Sequence, residues 1–342
     1  MEAQERQRWW HGVRVLGLLL CVYILNQADR QLLPILISAG LKCGNGTTSH
    51  HHNGSGSSNG SSNVHGFGGG VEAIASTAIA AATPANDCLS FSDLLEGLIK
   101  GPAFTVVYTV FGVSLSYLAD HYNRTYVLAA AVGIWSLATC LSYVVKAFYQ
   151  LMILRVVLGI GEAVCNPVAY SLIADCFPLK SRATALSVYH LGVYIGNALG
   201  YVAASAYSVV GWRLTFVIFG APGFLFALLF ATVVREPERG ATEIGSAAHE
   251  DGPPKAYNLI SLFRHAKGTP AFYTIVAASS IRQIAGLSLG AYLPSFFKDT
   301  FNLDDSEYNH TMLVVGMIVL TCGSAGAMLG LHSRRHARSH VA

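Results

Sequence analysis

The chain has 342 residues, of which 52% are hydrophobic and 12% charged; an average soluble domain carries about twice that share of charge, roughly 25%. So little charge cannot keep a surface in water, which excludes a soluble globular protein. A net charge of +3 from scattered basic residues excludes a disordered chain and a nucleic-acid binder.

No Asp, Glu, Lys or Arg occurs across 101–119, 125–145, 183–212, 214–234 or 308–333, and each run reaches the roughly 20 residues of a helix that spans a bilayer. Hydropathy predicts eight helical spans, over 12–38, 96–118, 125–145, 148–173, 183–208, 213–234, 270–296 and 311–331. The expected class is therefore an all-α polytopic membrane protein. The first span follows Arg6, Arg8 and Arg14, but its apolar character resumes after Asp29-Arg30 and no small-x-small site closes a short core. It reads as an uncleaved helix rather than a signal peptide.

The first connection, 43–92, carries the tract SHHHNGSGSSNGSSNVHGFGGG, which has no packable face. It is expected to be disordered. It holds three glycosylation sequons, at Asn45, Asn53 and Asn59. Its His50–His52 triplet reads as neutral filler, so no metal is expected. Cys43 and Cys88 flank the tract and can bridge if it faces an oxidising compartment. Cys21, Cys140, Cys165 and Cys322 fall in apolar segments as small packing residues, and Cys176 shows no metal or redox spacing.

The other connections alternate in charge. The N-terminus, 119–124, 174–182, 235–269 and the tail from His332 hold 14 Lys and Arg, against 5 on the opposite side. The positive-inside rule puts both termini in the cytoplasm, on the side away from the three sequons. A fourth sequon, Asn123-Arg-Thr125, is discounted as cytoplasmic. The charged linker 235–269 separates six helices from two, which divides the chain into 1–234, the linker, 270–331 and a basic tail 332–342.

Ionisable groups within a span are expensive and are functional candidates by default. Asp29 and Arg30 lie in the first span, Arg155 and Glu162 in the fourth, and Arg282 in the seventh. Arg155 and Glu162 are seven residues apart and share one helix face. Two readings compete at even odds: a proton-carrying substrate site, or a permanent ion pair that locks the first helix to the fourth. Arg282 has no acidic residue in its own helix and can attract an anionic head group, or pair with a residue of another helix. Gly192, Gly196 and Gly200 form a ladder for close helix approach. Tyr194, Asn197 and Tyr201 recur beside it as a packing stripe or a cavity lining, and Pro167 is expected to kink its helix. There is no Walker loop, HExxH, GxSxG or dinucleotide fingerprint, so neither an enzyme nor a cofactor is expected.

Between the second and third spans stands Ser116-Tyr-Leu-Ala-Asp120-His-Tyr-Asn-Arg124. A carboxylate and a guanidinium four residues apart can pin neighbouring helix ends. The loop resembles the signature G-x-x-x-D-[RK]-x-G-R-[RK] of the major facilitator superfamily, with Ser116, His121, Asn123 and Thr125 departing from it. Arg155-Val-Val-Leu-Gly-Ile-Gly-Glu162-Ala resembles that family's fourth-helix motif, and Ile173-Ala-Asp175-Cys-Phe-Pro178 its next cytoplasmic loop. Asn26-x-x-Asp29-Arg30, Gly-Ile-Gly-Glu-Ala and Arg235-Glu-Pro-x-Arg239-Gly together resemble the Spinster-like branch, whose members move lipids.

The resemblance covers 12–331 apart from the first loop. It implies a six-helix N-terminal bundle plus two helices of a second half, alternating access, and Asp120 and Arg124 as a cytoplasmic gate. It also implies a small-molecule or lipid substrate, such as a lysolipid or sphingoid, and proton coupling. Such transporters have twelve helices, so the eight read here suggest a truncated or spliced product or an incorrect gene model. The rival expectation is a non-transporting fragment that pairs with a full-length relative. Plasma and endolysosomal membranes are both open.

Overall fold

The structure, a computed structural model, describes residues 2–43, 88–237, 239 and 270–339. Asn45, Asn53 and Asn59 lie outside these residues, as does most of the 235–269 linker. The described residues form helices and no strand: α1 Glu2–Leu36, α2 Asp93–Lys100, α3 Pro102–His121, α4 Arg124–Leu141, α5 Phe148–Cys176, α6 Leu179–Tyr201, α7 Ala203–Val233, α8 Pro270–Phe301 and α9 Asp305–Ser339.

Helix boundaries follow local chemistry. Pro102 opens α3 at a position where the missing N–H costs nothing. The Asn123 side chain accepts from the N–H groups of Thr125 and Tyr126 at 3.0 and 3.2 Å, capping α4. Pro178 stands immediately before α6, and Ser92 caps α2 through the Leu95 N–H. Helix α5 is continuous through Pro167. Helix α1 passes Pro34 and ends in a single π turn, Ile37–Leu41, containing Gly40 at φ 137°. There the Tyr207 hydroxyl would lie 2.4 Å from any Cβ, so the left-handed backbone and the close neighbour both require glycine.

The eight expected spans are mainly helical, with three corrections. The second is broken at Gly101, where α2 gives way to α3. The fifth ends at Tyr201 rather than 208, and the following residues open α7, which bends again at Gly211 (φ 76°). Six segments among the described residues are long and apolar enough to cross a membrane: Trp9–Leu41, Asp93–Ala119, Arg124–Val144, Phe148–Cys176, Ala203–Val233 and Asp305–Gly326. Helices α6 and α8 are not among them; they carry polar residues that line the cavity, His190 and Asn197 on α6, Arg282 and Gln283 on α8.

Helix α1 packs on α6 along its length and touches α5, α7 and α8; α4 packs between α5 and α7, α3 against α5, and α9 against α6. The apolar core divides into two clusters. One holds Val15, Leu19, Val132, Trp135, Leu172 and Phe230, near the face that carries the N-terminus. The other holds Leu32, Leu36, Leu41, Leu151, Trp212 and Tyr308, near the face of the Cys43–Cys88 junction, here called the loop face. Asn26, Asp29, Thr139, Arg155 and Glu162, all buried, lie in between. Gly192, Gly196 and Gly200 of α6 lie against α1. A Cβ on Gly196 would lie 2.5 Å from the Ile24 carbonyl oxygen, and one on Gly200 2.6 Å from the Gln31 Cβ, so α1 and α6 meet backbone to backbone.

Candidate functional site

The polar layer is built from two neighbouring residues of α1 that reach different parts of α5. The Arg30 guanidinium donates through Nε to Glu162 Oε2 at 2.7 Å. Asp29 faces Arg155, with 3.8 Å between carboxylate and guanidinium, and accepts from the Thr139 hydroxyl of α4 at 3.1 Å. Arg155 and Glu162 thus share a face of α5 yet each takes its partner from α1. The pairing is crossed. Both carboxylates are shut away from solvent, at 1% and 0% side-chain exposure.

Beside this layer lies a cavity of about 400 Å³ between α1, α3, α5, α6 and α8. Four cations line it, Arg30, Lys100, Arg155 and Arg282, and no carboxylate does; Asp29 and Glu162 stand behind their arginines. Arg30 and Arg155 each keep one buried terminal nitrogen without a hydrogen-bond partner, as does the Gln31 side-chain oxygen. Arg282 makes no ion pair among the described residues.

The remaining wall is aromatic and aliphatic. The Arg30 guanidinium lies 4.8 Å from the ring centre of Tyr108 and 5.2 Å from that of Phe104. Asn166 donates to the Tyr108 hydroxyl at 3.0 Å and accepts from Tyr189 at 2.9 Å, fixing both rings. Tyr170 and His190 meet at 3.3 Å, and Tyr23 stacks on Tyr189 with centroids 4.3 Å apart. Asn197 of the expected stripe lines the cavity, whereas Tyr201 is core. Sequence reasoning passed over Lys100, Tyr108 and Asn166; Lys100 is the lone charge at the start of the second apolar run, and the other two carry no signal in sequence.

At the terminal face, Arg124 joins three elements. It meets Asp175 at 2.7 Å and Glu236 at 3.0 Å, and donates to Ser171 at 2.5 Å. The Asp120 side chain lies outside the described residues. Arg239 donates to the carbonyls of Ala119 and Tyr122, at 3.4 and 2.7 Å, and so ties the chain after α7 to the end of α3.

At the loop face, Cys43 and Cys88 form a disulfide with Cα atoms 5.1 Å apart. Two backbone bonds flank it, Cys43 N–H to Leu89 O at 3.0 Å and Leu89 N–H to Leu41 O at 2.7 Å. Lys42 sits between Asp93 and Glu96. Burial works against its charge, but hydrogen bonds to the two carboxylates outweigh that and hold its ammonium above the ordinary lysine range.

The profile of the family described as "Major Facilitator Superfamily" matches residues 64–340. The chain belongs to the major facilitator superfamily. It is an integral, multi-pass facilitator-type membrane protein, not an enzyme. Its Spinster-like character rests on relatives such as "Protein spinster homolog 1" of Bos taurus, 30% identical over 258 residues, 71% of this chain and 48% of the relative. The corresponding protein of Mus musculus is 30% identical over 264 residues, 73% and 49%. An "MFS-type efflux pump" of Mycolicibacterium smegmatis is 30% identical over 227 residues, 66% and 51%. The chain thus spans about half the length of the curated relatives it matches. Among solved structures, a bacterial homologue of the human lysosomal transporter Spinster, inward-facing and unoccupied, superposes with TM-score 0.64 at 24% identity, over 96% of this chain and 64% of that one. A D-xylose–proton symporter superposes with TM-score 0.54 at 18% identity, over 91% and 68%. These likenesses establish the facilitator fold.

Proposed function

We propose that this chain forms the solute-binding part of a secondary transporter that works by alternating access on an amphiphile with an anionic head group, of the lysolipid or sphingoid-phosphate class. The carrying observation is the cavity at the polar layer, lined by four cations and no carboxylate. An anionic head group answers the charge of Arg282, which makes no ion pair among the described residues, and the aromatic and aliphatic wall takes the chain of the amphiphile. Asp29 and Glu162, held against arginines across the α1–α5 interface, are the proposed proton carriers: a proton on either releases its arginine toward the cavity. The termini face the cytoplasm and the loop face lies outside, the orientation supported by the 14-to-5 distribution of basic residues.

The test is binding by the purified full chain in lipid nanodiscs, comparing decyl phosphate with decanol. Decyl phosphate should bind at least about tenfold more tightly, the worth of one hydrogen bond between charged groups, and Arg282→Gln should remove most of that preference. Equal binding of the two, or a preference untouched in Arg282→Gln and Arg155→Gln alike, refutes the reading.

A further inference from the structure

A line of hydrogen bonds at the loop face begins at a residue of the cavity wall. Lys100, at the end of α2, lines the cavity with its side chain 1% exposed. Its ammonium donates to Glu96 at 2.6 Å, one turn back, and to the Ser295 hydroxyl of α8 at 2.7 Å. Ser295 and Ser38 meet oxygen to oxygen at 2.8 Å, and Ser38 donates to the Pro34 carbonyl at 3.0 Å. A hydroxyl has one hydrogen. Ser38 spends its own on Pro34, so Ser295 must donate to Ser38 and accept from Lys100. Every donor in the line therefore points the same way, from Lys100 through Ser295 and Ser38 to Pro34. Hydrogen bonds aligned head to tail strengthen one another, and losing the first weakens the rest.

The line crosses the boundary between α8 and the joined ends of α1 and α2. Helix α2 is tied to the tip of α1 by the disulfide, by the backbone bonds of Leu89, and by Lys42 bridging to Glu96 at 2.7 Å. Helix α8 meets that joined unit through Ser295, through Tyr292, whose ring centre lies 5.9 Å from the Lys100 ammonium, and through Lys298, whose ammonium lies 3.5 Å from the Ala39 carbonyl. Lys100 belongs to the unit, reaches α8, and faces the cavity.

We infer that Lys100 couples occupancy of the cavity to opening of the loop face: an anionic head group draws its ammonium away from Ser295, the aligned hydroxyls lose their lead donor, and α8 is released from the α1–α2 unit. This rests on the anionic-amphiphile reading of the cavity and adds the element that senses it. Glu96 keeps a second cation in Lys42, so the departure of Lys100 does not strand its carboxylate.

The inference makes a reciprocal demand, because coupling between two sites acts equally in both directions. If the ligand must break the Lys100–Ser295 bond, a chain already lacking it should bind the ligand better. Ser295 does not line the cavity, so a purely structural role for it predicts no gain. The experiment measures decyl phosphate affinity and hydrogen–deuterium exchange of 37–42 and 291–303 on the full chain in nanodiscs. Ser295→Ala should tighten binding about fivefold, the worth of a modest hydrogen bond, and should speed exchange in both segments without ligand. In the unaltered chain, decyl phosphate should speed the same exchange and decanol should not. In Lys100→Met, exchange should be fast from the start and indifferent to ligand. Unchanged or weaker binding by Ser295→Ala, or a full exchange response in Lys100→Met, overturns the coupling while leaving the cavity reading intact. Failure of the unaltered chain to bind decyl phosphate overturns both.

Discussion

Replacing Gly196 by alanine adds one methyl group to α6 where it crosses α1, and the structure states what that methyl meets. Its position is 2.5 Å from the Ile24 carbonyl oxygen, 2.6 Å from Gln27 Cβ and 3.2 Å from the Ile24 carbonyl carbon. Carbon atoms are comfortable at about 3.5–4.0 Å, so the helices must separate by about 1 Å. Two of the three obstacles are backbone, which no rotamer change can move. Overpacking of this kind costs about 1–3 kcal/mol, and the rigid obstacle puts Gly196→Ala at about 3; the better helix propensity of alanine returns about 1 kcal/mol. A net loss of about 2 kcal/mol corresponds to roughly 4–8 °C in melting temperature for an ordered unit of this size. Two neighbours calibrate the measurement. Gly192→Ala meets only side-chain atoms, Leu20 Cδ1 at 3.0 Å and Tyr23 Cδ1 at 3.1 Å, and should lose less. Gly133→Ala has nothing within 4 Å and should be neutral or stabilising. Thermal unfolding of the purified chains, followed by tryptophan fluorescence or by the surviving monodisperse fraction, should rank them Gly133→Ala, Gly192→Ala, Gly196→Ala in falling stability. A Gly196→Ala protein that melts with the parent refutes the close-approach argument.

Glu162→Gln leaves the Arg30 charge without its 2.7 Å partner; it should cost about 3–5 kcal/mol, and Arg30→Met with Glu162→Met should recover most of that loss in the same melting assay. Retained stability in the single variant would mean the pair contributes little. In uptake driven by an imposed pH gradient, Asp29→Asn and Glu162→Gln should each abolish the pH dependence; persistence of full dependence in both makes these carboxylates structural only. Expressed in a secretory host, the chain should lose mass on deglycosylation, with Asn45, Asn53 and Asn59 together accounting for most of the change, whereas a first loop accessible to protease from the cytosol reverses the orientation.

The helical class and the positions of all eight spans were legible because a bilayer demands long uncharged runs, and the glycine ladder was legible because a four-residue spacing keeps small residues on one face. The end of the fifth span was not. Hydropathy sees no difference between a helix and a turn made of apolar residues, and the break at Val202 is hidden in such a run; only Gly211 marks the second bend. The five intramembrane charges could be named, but their partnership could not. Asp29 and Arg30 are adjacent in sequence, so which of them meets Arg155 and which meets Glu162 depends on the rotation of α1 against α5, a tertiary quantity. The partners of Arg124 were hidden for the same reason, since Asp175 and Glu236 are 51 and 112 residues away. Lys100 was counted only as a loop charge, since its double membership in cavity and hydrogen-bond line exists only once α8 is in place.

The junction at Cys43 and Cys88 has a practical meaning for engineering. The two cysteines are 45 positions apart in sequence but 5.1 Å apart in space, and the backbone bonds of Leu89 close the junction from within. Lengthening a segment whose ends are already fastened adds little entropy cost, about 0.6 kcal/mol for each doubling, and strains nothing in the helices. A reporter domain or an affinity tag inserted between these cysteines therefore enters at a point mechanically insulated from the bundle, which makes this the preferred graft site for a fluorescent or cryo-microscopy marker on a protein whose described loops are otherwise short.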